Sequence, residues 1–115
     1  MARVNELVGD LDRATSQGRL GVDAPLYRGL DSQIAEALQP GAVFQDPGFV
    51  STSTQSSLPS ELSPHVLVIQ GTTQTPGAFM ADTLEHEFLL PRSMTMRVVS
   101  RIDTTNGAII YAELL

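Results

Sequence analysis

The chain has 115 residues, is 42% hydrophobic and 17% charged, and carries a net charge of −6. That describes one folded domain with a single core, and it argues against a nucleic-acid binder, which holds phosphates with a basic stripe that is missing here. Cysteine is absent, which excludes disulfides, thiolate metal sites and cysteine nucleophiles; no apolar run approaches bilayer length, and the N-terminus lacks a signal-peptide core.

Val4, Leu7, Val8, Leu11 and Ala14 recur at helical spacing and predict an amphipathic helix over residues 3–17, ended by Gly18 and Gly21. Pro25 precedes a short strand, Leu26 to Arg28. Asp31 is placed to cap a second helix with Ile34, Ala35 and Leu38 on its inner face, and Pro40-Gly41 stops it. From there the pattern is mostly β, with strands predicted over Ala42–Phe44, Phe49–Ser53, His65–Gln70, Glu85–Leu90, Met94–Ile102 and Ala108–Leu114. The last two flank Thr104-Thr105-Asn106-Gly107, and Asn-Gly is a strong hairpin signal. Residues 55–64 and 71–82 are Ser/Thr/Pro/Gly-rich loops, long enough to wall a cleft. Helices in front and antiparallel strands behind predict an α+β fold of two small packed sheets, a single domain over residues 1–115.

The most informative segment is Glu85-His86-Glu87, followed by Phe88-Leu89-Leu90-Pro91. Strand alternation puts Glu85 and Glu87 on one face and His86 on the other. Two acids on one face repel each other, which lets a site keep one ionised while its neighbour takes another role. By itself the signal is weak, because two acids so spaced on the wet face of a half-buried strand are usually solvated surface. His86 is separated from both acids and His65 is the only other imidazole, so no metal site is expected. Ser51 and Ser53 share one face of their strand, with Thr52 on the other. Arg28, taken alone, reads as a surface salt bridge.

Three segments in order change that reading. Tyr27-Arg28-Gly29, Gly48-Phe49-Val50-Ser51-Thr52-Ser53 and Glu85-His86-Glu87-Phe88-Leu89-Leu90-Pro91 resemble the arginine–serine–glutamate class of mono-ADP-ribosyltransferases, which includes the enzymatic subunits of clostridial binary toxins. The resemblance covers about residues 22–115. It implies an ADP-ribosyltransferase-like fold around an NAD cleft, with NAD as co-substrate and no metal. By the same resemblance Arg28 grips the NAD phosphates and the Gly29 backbone holds the nicotinamide amide. Ser51 orients the catalytic carboxylate, Thr52 and Ser53 support the nicotinamide-ribose pocket, and Glu87 stabilises the cation formed at the ribose. Glu85 is the specificity position, where a second carboxylate suits an arginine acceptor. Phe79 is either an aromatic that reads the substrate or a core anchor.

The resemblance thus implies transfer of ADP-ribose to arginine on a target protein, with release of nicotinamide, by a monomer. An NAD glycohydrolase and a non-catalytic binding module of the same fold are the rivals. Only about one helix precedes the first strand, and the Arg28-to-Ser51 spacing is short for the class. The chain is therefore expected to be a minimal catalytic domain or a fragment of a larger toxin or phage head-associated protein. It would work in the producer's cytoplasm or be delivered into a target cell. All seven basic residues are arginine. GC-rich coding accounts for this, and the sharper reading is that a delivered toxin without lysine escapes ubiquitination.

Overall fold

The computed structural model describes residues 2–45, 50–54, 64–80 and 87–115, with side chains from Val8 onward. In chain order the elements are α1 (Ala2–Gln17), β1 (Ala24–Leu30), α2 (Ser32–Ala37), β2 (Val43–Gln45), β3 (Val50–Ser53), β4 (His65–Gly71), β5 (Ala78–Phe79), β6 (Glu87–Leu90), β7 (Thr95–Asp103) and β8 (Ala108–Leu114). The strands hydrogen-bond in the order β2-β7-β8-β4-β1-β3-β6-β5. Neighbours are antiparallel except β4 and β8, which run parallel.

The ladder narrows sharply at one point. β1 and β4 are in register along the whole of β1, from Ala24↔Gly71 to Leu30↔His65. β1 and β3 share the single register pair Tyr27↔Ser53. Five strands on one side and three on the other thus form two groups hinged at that pair, in the predicted α+β arrangement. Leu26, Leu30, Leu67, Ile69, Met96 and Ile110 of the larger group share one buried cluster with Val50, Phe88 and Leu90 of the smaller. Alternation along each strand produces this: Val50, Thr52, Phe88 and Leu90 take the core side, leaving Ser51 and Glu87 on the other.

Several elements differ in detail from the sequence reading. Pro25 lies inside β1, opposite Gln70, where β3 does not reach; it occupies an edge-like position that tolerates a missing N–H. β5 has only two residues, too few to show any period, and falls within the stretch read as a loop. The β7–β8 hairpin closes between Thr104 and Gly107, which exchange backbone bonds of 2.8 and 3.3 Å. Its tip is therefore Thr105-Asn106, and Gly107 follows the tip because a Cβ there would overlap the Pro64 carbonyl. α1 ends at Gly18, where a Cβ would overlap the Gly77 carbonyl; Gly77 N–H donates to the Gly18 carbonyl at 3.2 Å. That contact fixes the helix end against the approach to β5.

α2 starts as predicted. Asp31 is its N-cap and accepts from the Ile34 N–H at 2.8 Å. Ala35 and Leu38 are buried, but Ile34 is not on the inner face: it is 49% exposed and lines the cleft described below. In the far part of the chain, Arg92 after β6 makes a bidentate pair with Asp12 of α1, at 2.8 and 2.5 Å. Both side chains are well exposed, so the pair contributes at most about 1 kcal/mol. Among the described residues no helix is long and apolar enough to cross a membrane.

Candidate active site

Glu87 opens β6 and Ser51 is the second residue of β3. Antiparallel register sets Ser53 opposite Glu87 and Ser51 opposite Leu89, so Ser51 and Glu87 are diagonal neighbours on one face. The Ser51 hydroxyl donates to Glu87 Oε2 in a short hydrogen bond. A serine on the neighbouring strand thus fixes the direction of the carboxylate. Ser53 is buried on the same face, in register with both Glu87 and Tyr27, where the two strand groups meet.

Arg28 reaches this pair from β1. Its Nη1 donates to the Ser51 carbonyl at 3.0 Å. It is half-buried, and among the described residues no carboxylate pairs with it. The salt-bridge reading of Arg28 is therefore set aside. Arg28 and Gly29 line a cleft of about 630 Å³, together with Ile34 of α2 and the apolar residues Val50, Leu67 and Met96. Ser51 and Glu87 are not in that lining, because strand alternation turns them away from Val50. Arg28 is the link: it lines the cleft and is bonded to the strand that orients the carboxylate.

Thr52 requires a correction. As a group that contacts a cofactor it is misplaced, since it is only 3% exposed and its hydroxyl donates to the Phe88 carbonyl at 2.6 Å. It supports the site from behind by tying β3 to β6. Thr52→Val keeps the shape and removes that bond, so it is expected to lower unfolding stability by about 1 kcal/mol. Chemical denaturation would read this, with activity per folded molecule unchanged.

Phe79 is 56% exposed, so it is not a core anchor in the full sense, yet one edge of its ring packs on Phe88 with centroids 4.8 Å apart. It stands on the strand beside β6, with its outer part facing solvent. Glu85 and His86 lie outside the described residues, as do Gly48 and Phe49 of the second motif. His65 is engaged on both ring nitrogens: the Ala108 N–H donates to Nδ1 at 3.1 Å, and Nε2 lies 3.2 Å from the Ser32 hydroxyl. Sequence reasoning missed Ile34 and Gln33 as cleft residues. Only the packing of α2 on the sheet decides which side of a six-residue helix faces the opening.

Solved structures similar in fold to this chain include ADP-ribosyltransferases. The chain is similar to C3stau2 from S. aureus, solved with NAD, with 19% identity and a TM-score of 0.82 over 100% of this chain and 72% of that one. It is similar to the Clostridium limosum C3 exoenzyme at 18% identity and a TM-score of 0.84, over 100% of this chain and 70% of that one. The ADP-ribosyltransferase Vis, solved in complex with agmatine, matches at 20% identity and a TM-score of 0.78, over 99% of this chain and 59% of that one. No curated protein matches by sequence. Residues 2–115 match the family described as ADP-ribosyltransferase exoenzyme, and the chain belongs to that family.

Proposed function

We propose that the domain transfers ADP-ribose from NAD to arginine on a target protein. The observation that carries this reading is the Ser51–Glu87 hydrogen bond beside Arg28, on a chain of the exoenzyme family. Breaking the bond between nicotinamide and ribose sends the electron pair to nicotinamide and leaves an oxocarbenium-like cation on the sugar. A carboxylate held in one direction stabilises that charge as it develops, and needs no reorganisation at the moment of reaction. Ser51 supplies the hold. Arg28 fits the pyrophosphate: a guanidinium presents a planar fork to phosphate oxygens, and this one has no carboxylate partner among the described residues. Gly29 fits a close approach of the backbone to a flat amide, and the apolar lining suits a ring. The structures of C3stau2 with NAD and of Vis with agmatine, a guanidine, support this choice of donor and acceptor.

Arginine specificity rests on Glu85, two residues before Glu87. A guanidinium is protonated at neutral pH and is a poor nucleophile until a carboxylate holds it and accepts a proton. Water needs less help. Glu85→Gln is therefore expected to lose transfer to agmatine while keeping most NAD hydrolysis. The measurement is paired: nicotinamide release and ADP-ribosyl-agmatine formation in the same reactions. Equal loss of both would remove Glu85 from acceptor activation, and with it the argument for arginine.

A further inference from the structure

α2 has six residues, too few to hold a helix by its own backbone bonds. Its N-terminal end is closed by Asp31, whose side chain and carbonyl accept from Ile34 and Ala35. Its C-terminal end is closed from another strand. Arg101 Nη1 of β7 donates to the carbonyls of Ala35 and Leu38, the latter at 3.2 Å. The Arg101 Nε donates to both oxygens of Asp103, at 3.0 and 3.2 Å, which sets the guanidinium plane from its own strand. Arg101 is opposite Ile110, whose side chain is in the core, so it points inward; its side chain is 11% exposed. A cation at the carbonyl end of a helix also interacts favourably with the helix dipole. Arg101 does not line the cleft, whereas Gln33, Ile34, Ala37 and Leu38 of the segment it holds all do.

We propose that Arg101 is a positioning residue for nucleotide binding, holding the C-terminal carbonyls of α2 so that this helix forms a fixed wall of the cleft that Arg28 also lines. The inference rests on the reading of that cleft as the NAD site. If α2 frays, the fraction of molecules with a formed cleft falls, and the apparent dissociation constant rises by the same factor. The reacting groups, Glu87 and Ser51, are on other strands and keep their geometry.

Steady-state kinetics with NAD on the wild type, Arg101→Met and Arg101→Lys test this, together with amide hydrogen exchange of the ligand-free proteins. Losing charge-assisted bonds to two carbonyls is expected to raise KM for NAD about tenfold in Arg101→Met, with kcat changed less than about twofold. Arg101→Lys keeps a cation but not the fork, so its KM should fall between the two. Exchange at the Ala35 and Leu38 amides should quicken in Arg101→Met while the β1 and β4 amides stay protected. A fall in kcat at unchanged KM, or unchanged exchange at Ala35 and Leu38, would overturn the proposal. If Arg101→Met does not fold, Arg101→Lys must show the raised KM alone. A wild type that leaves NAD intact would overturn the proposed function instead, and the exchange comparison would still decide whether Arg101 holds α2.

Discussion

Glu87→Gln is expected to abolish NAD cleavage and ADP-ribose transfer together, each falling by about a hundredfold or more. The substitution preserves size and can still accept the Ser51 hydroxyl, so β3 and β6 should remain paired. What it removes is the negative charge facing the sugar as the cation forms. Because both acceptors, arginine and water, attack after the same bond weakens, both outcomes depend on that charge. Initial rates of nicotinamide release and agmatine labelling, at equal folded concentration by circular dichroism, are the readout. Turnover near wild type would remove Glu87 from the centre of the reaction.

Arg28→Ala is expected to abolish the stabilisation that NAD confers. A ligand that binds only the folded state at about a hundred times its Kd adds about 2.7 kcal/mol, which for a domain of this size is roughly 10 °C in melting temperature. Wild type should show a rise of that order with saturating NAD, and Arg28→Ala none. Without ligand the variant loses one hydrogen bond to the Ser51 carbonyl and should still melt cooperatively. A full NAD-linked shift in Arg28→Ala would mean that the phosphates are held elsewhere.

How much of this was legible in the sequence follows from how local each cause is. The N-cap at Asp31, the helix over Ala2–Gln17 and the β7–β8 hairpin depend on neighbours in sequence, and their signals were plain. Strand alternation also placed Ser51 with Ser53 and turned Thr52 away. The Ser51–Glu87 bond was implied by the resemblance, yet periodicity could not supply it, because it needs the diagonal register of strands 36 residues apart. The resemblance implies a pocket role for Thr52, whereas alternation, burial and its bond to the Phe88 carbonyl put its side chain on the core side. Ile34 looked like a core position because helical spacing shows that a face exists but not what lies opposite. Arg101 carried no signal at all. Its partners on α2 are more than 60 residues away, and an arginine near an aspartate on a strand reads as surface.

The proposed reaction is cleavage of NAD by this domain with transfer of the ADP-ribose to a guanidine. Purified wild-type protein incubated with NAD and agmatine tests it most directly, with nicotinamide and ADP-ribosyl-agmatine quantified from the same sample. Both products are expected to accumulate in near-equal amounts, and omitting agmatine is expected to lower nicotinamide release. Nicotinamide without adduct on agmatine would contradict the transferase reading and favour a glycohydrolase; intact NAD would contradict catalysis and leave a binding module of the exoenzyme fold.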